Sequence, residues 1–158
     1  MDVIGPTLPK DAMKIIELDR NNINDIKFLW NELNSYHYEV STHFKKYFEI
    51  FTFEKRIQEL IKKEKLKIFV VEFEGQYIGY CIVTVNNGQG EVDSIYIQAE
   101  YRNNKLGEQL MRKTLEWFKA HQCNEIRIKV AEGNESVLEF YRKYGFFERF
   151  VVIQNNTA

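Results

Sequence analysis

Two acidic side chains in the middle of the chain are suited to proton transfer. Glu91 and Asp93 stand two positions apart in a segment with the residue types of a β-strand. Side chains with that separation point to the same side of a strand. A carboxylate held beside a bound substrate can accept a proton, directly or through a water molecule. The pair is therefore a candidate general base, and the alternative is two acids that face solvent at a strand edge.

A polar turn follows this strand and leads directly into a long amphipathic helix. The turn contains Arg102, Asn103, Asn104 and Lys105, and apolar residues at helical spacing predict a helix over residues 105–121. The first turn of such a helix leaves backbone N–H groups without intrahelical partners, at the positive end of the helix dipole. We therefore expect an anion site suited to phosphate here. The alternative is an ordinary loop between a strand and a helix.

A second block, residues 134–146, reads Asn-Glu-Ser-Val-Leu-Glu-Phe-Tyr-Arg-Lys-Tyr-Gly-Phe. Together, the turn and this block resemble the GNAT superfamily of acetyl-CoA-dependent N-acetyltransferases. The turn fits the family pattern Gln/Arg-x-x-Gly-x-Gly/Ala at Arg102 and Gly107, whereas Lys105 replaces the middle glycine. Val137 stands where the family often has alanine. The other residues of the second block that match the family pattern are Asn134, Phe140, Tyr141, Lys143, Gly145 and Phe146.

The resemblance implies that the chain binds acetyl-CoA, without a metal, largely through main-chain groups. In the family, the turn holds the pyrophosphate and the preceding strand pairs with the pantetheine arm. If the middle position of the turn requires a positive φ, lysine costs about 1 kcal/mol there relative to glycine. Its ammonium could offset that cost by meeting a phosphate. The residues expected at the cofactor are Ile95, Ile97, Arg102, Asn103, Asn104, Lys105, Leu106, Gly107, Asn134, Phe140, Tyr141 and Lys143.

The resemblance also implies direct transfer of the acetyl group to an amine. Glu91 and Asp93 bracket the positions where relatives commonly place the general base. Tyr141 matches the frequent general acid that protonates the departing thiolate, and its alternative role is packing against the cofactor tail. An alkyl ammonium with a pKa near 10.4 needs about 4–5 kcal/mol to become neutral at pH 7, which is why a base is useful.

The acceptor pocket is expected along the end of the first predicted helix, where relatives build its wall. Tyr36 and His37 are the candidates for contacts with the substrate, although His37 could equally bond a loop carbonyl. Glu32 and Glu39 could neutralise a cationic acceptor, or could be ordinary surface acids. The expected partner is a small-molecule amine, and a protein N-terminus or lysine remains an alternative.

The order of predicted elements is that of a GNAT domain: β-α-α-β-β-β-α-β-α-β, an α/β (α+β) fold with a mixed, mostly antiparallel central sheet flanked by helices. Asn22 and Thr52 are the expected N-caps of the first two helices, and residues 36–48 between those helices are expected to be irregular. Residues 1–12 are expected to form a flexible extension, 13–154 a single domain and 155–158 a tail. The predicted strands are residues 13–18, 68–73, 77–85, 91–97, 125–130 and 147–153, and a short helix is predicted over residues 134–143.

Composition narrows the class of protein further. A chain of 158 residues suits one domain, and a net charge of −1 implies no basic surface for nucleic acid. No apolar run approaches the roughly 18 residues of a membrane span, and no signal peptide is recognisable. Cys81 and Cys123 lack metal-site spacing, so a cytoplasmic location with reduced thiols is expected. A homodimer is a further expectation, because dimers are frequent among GNAT relatives.

Two other classes of function compete with the enzyme. A non-catalytic acyl-CoA-binding sensor would keep the fold without turnover, and Lys105 in the turn makes that alternative worth testing. A nucleotide-binding module would use the turn between strand and helix but not the second block. Retention of Tyr141 and of the paired acids favours the enzyme.

Overall fold

A five-stranded sheet forms the centre of the computed structural model, which describes residues 12–156. The strands lie side by side in chain order, and neighbours are antiparallel except for the last pair, which is parallel. The predicted mixed, mostly antiparallel sheet is therefore confirmed. All of the expected N-terminal extension except Ala12 lies outside the described residues, as do the last two positions of the tail. The strands are β1 (Met13–Leu18), β2 (Lys65–Phe73), β3 (Gln76–Asn86), β4 (Gln89–Ile97) and β5 (Glu125–Ile128).

Helices cover both faces of the sheet. On one face, the 3-10 helix Arg20–Ile26 buries Ile26 and α1 (Lys27–Val40) buries Leu29 and Trp30 against the strands. On the other face, α4 (Leu106–Ala120) buries Leu110 and Phe118. Because β2 and β3 are covered on both sides, they are nearly continuous apolar runs. No helix within residues 12–156 is long and apolar enough to cross a bilayer. The helices are α1 (Lys27–Val40), α2 (Lys45–Ile50), α3 (Phe53–Leu60), α4 (Leu106–Ala120) and α5 (Leu138–Arg142).

The region between the first two predicted helices is more regular than its sequence indicates. The expectation that residues 36–48 are irregular is wrong, because α1 continues to Val40 and α2 follows. Thr52 caps α3 as predicted, accepting a hydrogen bond from the Lys55 N–H at 3.2 Å. Asn22, by contrast, lies inside a 3-10 helix whose cap is Asp19. These differences arise because contacts distant in sequence fix the loop between α1 and α2.

The predicted final strand, residues 147–153, is wrong. The segment is extended, but it pairs with no strand among the described residues. Its contacts with the rest of the chain include an ion pair between Arg149 and Glu125, 3.6 Å apart. The side chains of Phe147 and Ile153 are 74% and 94% exposed. Aromatic and β-branched residues favour extended backbone, but a strand also requires an edge to pair with.

A tether joins the end of α1 to the loop before the second motif block. The carboxylate of Glu132 accepts hydrogen bonds from Ser41 Oγ, Thr42 N and His43 N at 3.0, 2.7 and 2.8 Å. These backbone bonds hold the pKa of Glu132 below its usual range. Next to it, Gly133 has φ of 91°, and a Cβ there would lie 2.1 Å from the carbonyl oxygen of Val40. The tether therefore needs both the acid and the glycine.

Gly133→Ala should destabilise the protein far more than Gly75→Ala. Both glycines have positive φ, but a Cβ on Gly75 would meet nothing within 4 Å. Gly75→Ala should therefore cost about 1 kcal/mol of backbone strain, and Gly133→Ala about 2–4 kcal/mol, because a steric clash is added. Free energies of unfolding from urea titration measure the difference. Equal losses would show that α1 and this loop are not in tight contact.

Candidate functional site

An open strand edge lies where β4 and β5 separate. Their parallel pairing ends at Val92 and Ile128, whereas β4 continues to Ile97. The N–H of Gln98 donates to the carbonyl of Ile78 on β3 at 3.0 Å. Because bonding directions alternate along antiparallel strands, Ile95 and Ile97 direct their backbone groups away from β3, toward the open side. An extended ligand can pair with this edge, as the prediction for Ile95 and Ile97 requires.

The turn before α4 has the left-handed backbone that its sequence suggested. Asn103 and Lys105 have φ of 69° and 59°, so the predicted cost of a lysine at this position applies. Asn104 Nδ2 donates to the carbonyl of Tyr101 at 3.0 Å, which holds the turn closed. The side chain of Lys105 does not cap α4, and within residues 12–156 no side chain accepts from the first N–H groups of this helix, which suits them to an external acceptor. Arg102 Nε donates to the carbonyl of Ile97 at 3.0 Å and ties the turn to the open edge.

The second block packs against this turn. A Cβ on Gly107 would lie 3.3 Å from Phe140 Cζ and 3.7 Å from Ile97 Cδ1, so glycine permits the close approach of Phe140. Asn134 stands at the N-cap position of the 3-10 helix Glu135–Val137, but its side chain makes no cap hydrogen bond. Lys143 is exposed at the end of α5. The structure therefore brings Phe140 to the turn, while contacts of Asn134 and Lys143 with the cofactor stay predictions.

Tyr141 is buried next to the open edge. Its ring packs between Phe140 and Phe146, with centroids 5.4 and 6.3 Å away. Burial, and to a smaller degree the neighbouring thiol of Cys81, raises the pKa of Tyr141 above its ordinary value. Cys81 pairs with Ile95 in the sheet, so the phenol lies close to the open part of β4. Tyr141 therefore carries its proton at neutral pH and can donate it.

Asp93 is the extra residue of a β-bulge. Val92 is paired with Val83, and Ser94 with Ile82, so Asp93 has no partner on β3. The bulge sends the side chains of both Asp93 and Ser94 toward the α1–α3 side of the sheet, where they line the same cavity. The sequence gives no local signal for this irregularity.

The carboxylate of Asp93 is buried and only partly satisfied. Its side chain is 1% exposed, Oδ2 accepts a 2.6 Å hydrogen bond from Thr84 Oγ1, and no hydrogen bond from the described residues reaches Oδ1. The nearest cation is Arg56, whose Nη2 lies 3.5 Å from Oδ1. Burial raises the pKa of Asp93 to about 6, with a further rise from Glu91 and opposing effects from Thr84 and Arg56. Asp93 is therefore ionised at neutral pH yet basic enough to accept a proton.

Glu91 occupies a different environment. Its carboxylate lies 3.8 Å from Arg127 Nε and 4.0 Å from Lys129 Nζ, two cations that follow one another along β5 and its extension. The acid is close enough to Asp93 for its charge to raise the pKa of that residue. The two predicted acids are thus neighbours, but only Asp93 borders the cavity.

The cavity beside Asp93 is about 110 Å³ in volume. Four of its residues share one face of α1, at the spacing i, i+3, i+4, i+7, and this pattern could have identified the wall from sequence. Of the residues that line the cavity, only His37 and Asp93 were predicted from the sequence as site residues. A larger surface groove of about 330 Å³, on the outer side of α4, contains none of the predicted site residues. The cavity is lined by Trp30, Leu33, Asn34, His37, Tyr47, Phe48, Phe51, Arg56, Asp93 and Ser94.

The predicted substrate contacts are distributed unevenly around this cavity. His37 lines it, and burial lowers the pKa of His37, so the ring is neutral at neutral pH. Glu32 accepts hydrogen bonds from Gln98 Nε2 at 3.1 Å and from the Tyr96 hydroxyl at 3.3 Å. Neither Glu32, Tyr36 nor Glu39 lines the cavity. Their roles in substrate binding stay predictions.

Comparisons with known proteins agree with this geometry. A model of the acetyltransferase (GNAT) family matches residues 26–146. A Bacillus subtilis protein named as a candidate alanine N-acetyltransferase of ribosomal protein bS18 is 29% identical over 87 residues, which are 55% of this chain and 58% of that protein. Streptothricin acetyltransferase A of Bacillus subtilis is 26% identical over 87 residues, or 54% of this chain and 50% of that protein. The chain spans about half the length of the curated relatives it matches.

Solved structures show the same fold. The aminoglycoside N-acetyltransferase AAC(6')-Iy in complex with CoA superposes with a TM-score of 0.64 over 92% of this chain and 99% of that one, at 16% identity. Because the family match over residues 26–146 includes the open edge of β4, the turn and the cavity, the chain belongs to the acetyltransferase (GNAT) family, as its motifs predicted.

Proposed function

We propose that the chain is an N-acetyltransferase that moves the acetyl group of acetyl-CoA directly to a primary amine of a small molecule. The observation that carries this proposal is Asp93, a buried carboxylate with a pKa of about 6 between the open edge of β4 and a cavity that opens to solvent. The aminoglycoside and streptothricin acetyltransferases among the similar proteins support a small-molecule acceptor. The relative named for ribosomal protein bS18 supports the alternative, a protein N-terminus.

The described residues fit acetyl-CoA, which supplies the acetyl group as a thioester. The uncapped N–H groups of Leu106 and Gly107 at the start of α4 suit the pyrophosphate, with the cations of Arg102 and Lys105 nearby. The outward backbone groups of Ile95 suit the pantetheine arm. The carbonyl of Ile97 already accepts a hydrogen bond from Arg102, so its availability to a ligand depends on that side chain.

Asp93 and Tyr141 have opposite tasks in the transfer. Asp93 accepts one proton from the ammonium, directly or through water, so that the neutral amine can attack the thioester. As the new C–N bond forms and the C–S bond breaks, Tyr141 gives its proton to the sulfur, and the second proton that the nitrogen loses restores the phenol. Holding amine and thioester in contact supplies the greater part of the acceleration. Glu91 is the second candidate base, and its ion pairs suit it better to tuning Asp93.

A homodimer in the cytoplasm completes the proposal. The exposed apolar side chains of residues 147–153 and the outer edge of β5 support association with a second copy, since an unpaired apolar segment readily adds to an open edge.

Sedimentation velocity should show a dimer that Val152→Lys weakens at least tenfold. A wild-type monomer at all concentrations up to 100-fold above the assay range would contradict this.

Two measurements together test the proposed activity. Calorimetry should show that acetyl-CoA binds and that ATP does not compete, and release of the CoA thiol should then depend on an added amine. Binding without release from any amine would identify a sensor instead. Preference for ATP over acetyl-CoA would identify a nucleotide-binding module.

Tyr141→Phe should lower kcat about tenfold to a thousandfold, because the departing thiolate loses its proton donor. The affinity for acetyl-CoA should change little, since the ring and its packing remain. Phe146→Leu, which alters the neighbouring ring without touching a proton donor, is the matched control and should retain most of its turnover. Unchanged kcat in Tyr141→Phe would remove the phenol from the mechanism.

The two acids should differ in their effect on the pH profile. Asp93 must be ionised to act, so kcat/KM should rise with pH through about 6 and level off above it. Asp93→Asn should lower kcat/KM at least a hundredfold and abolish this limb. Glu91→Gln should keep activity but move the limb to lower pH, because the Glu91 charge raises the pKa of Asp93. The reverse result would make Glu91 the base.

A further inference from the structure

One wall of the cavity beside Asp93 consists of aromatic rings in mutual contact. The ring of Tyr47 stacks on Phe51 at 5.3 Å and meets Phe48 edge-on at 5.1 Å. Trp30 lies 5.8 Å from Phe51 on the other side. Such a wall offers dispersion and π contacts to a flat or slim apolar group, and few hydrogen bonds to a polyhydroxylated one.

The lining carries no surplus of negative charge. It contains one carboxylate, Asp93, and one guanidinium, Arg56, and His37 is neutral because burial lowers its pKa. Arg56 is also already engaged: Nη1 lies 3.0 Å from Glu59 Oε2, and Nη2 donates to the backbone oxygen of Asp93 at 3.3 Å. Within the lining, a ligand with several ammonium groups would find Asp93 and no second carboxylate. A ligand carboxylate would find no free pair of N–H groups on the Arg56 guanidinium.

The size of the cavity limits the ligand further. Its volume is about 110 Å³, somewhat below the roughly 150 Å³ of an apolar cavity that takes benzene. Because the cavity opens to solvent, one six-membered ring or a short alkyl chain can occupy it and extend partly outside. It is too small to enclose the linked rings of an aminoglycoside.

One polar atom in the lining has no hydrogen-bond donor among the described residues. Asp93 Oδ1 is buried and accepts no hydrogen bond from the described residues, and Arg56 Nη2, 3.5 Å away, is too far to supply one. The N–H of a single amino group at the end of the apolar body would satisfy it. Ser94, which shares a 2.6 Å hydrogen bond with the Tyr80 hydroxyl, is already partnered.

We propose that this cavity takes the apolar body of a primary monoamine, an arylalkylamine or a short alkylamine, and places its amino group at Asp93. The inference rests on the proposed function and narrows its substrate class. It differs from what the names of the aminoglycoside and streptothricin enzymes suggest, because the walls that face the acceptor are aromatic and balanced in charge.

The test compares kcat/KM for 2-phenylethylamine, hexylamine, kanamycin and an alanine-initiated peptide, with acetyl-CoA at saturation. The two monoamines should exceed kanamycin and the peptide at least tenfold. Phe48→Ala should raise KM for 2-phenylethylamine about tenfold or more with little change in kcat. Phe28→Ala is the matched control, since Phe28 is a 48% exposed aromatic residue of α1 outside the lining. Thermal unfolding checks that both variants are folded.

A variant with an added acid tests independently whether the charge of the lining selects the acceptor. Phe48→Asp should weaken 2-phenylethylamine and strengthen kanamycin, so that the ratio of their kcat/KM values falls at least a hundredfold. A preference of the wild type for kanamycin or the peptide would overturn the inference, as would equal effects of Phe48→Ala and Phe28→Ala on KM.

Failure of the proposed function would be recognised separately. If acetyl-CoA binds but no amine is acetylated, calorimetric titration of the CoA-bound protein with 2-phenylethylamine decides the matter. Binding that Phe48→Ala weakens and Phe28→Ala leaves intact would uphold the cavity as a monoamine site in a non-catalytic protein. Absence of binding would overturn the inference.

Discussion

The site depends on one extra residue in β4. Val92 is the last residue paired with both β3 and β5, and the bulge at Asp93 follows at once. A bulge bends its strand and increases the local twist, which suits the divergence of β4 from β5 beyond this point. The same irregularity places Asp93 and Ser94 at one cavity, against the strict alternation of a regular strand. An open edge for an extended ligand and a buried carboxylate thus share one cause.

Direct contacts also join the acceptor side of the proposed reaction, at α1, to the block that carries Tyr141. Glu132 fixes the loop that follows α1, and it stands directly before the block that supplies Phe140 and Tyr141. The close contact of Gly133 with Val40 leaves no room for the loop to shift along the helix end. Since α1 forms one wall of the cavity, a movement of the second block on the cofactor side would be transmitted to the acceptor side. The fold therefore fixes the distance between donor and acceptor, on which proximity depends.

Sequence reasoning succeeded where the signal was local and failed where it was not. The strands up to Ile97, the α4 turn with its positive φ and the family were predictable, because hydrophobic periodicity and motif spacing encode them. The bulge at Asp93, the pairing with Arg56 and the tether at Glu132 join residues far apart in the chain. Residues 147–153 failed for a related reason: their pattern specifies extended backbone, while the missing partner edge is a property of the whole sheet. The i, i+3, i+4, i+7 set on α1 that begins at Trp30 is a local signal, because helical periodicity places its members on one face.

Arg56 links the acidity of the base to the choice of acceptor. Burial and the nearby Glu91 both raise the pKa of Asp93, and Arg56 opposes them. Without this cation the carboxylate would hold its proton to a higher pH, so a smaller fraction of it would be ionised at pH 7. The same guanidinium balances the only negative charge in the cavity lining, and this balance disfavours a polycationic acceptor. Loss of this arginine would therefore change the pKa of Asp93 and the charge of the cavity lining together.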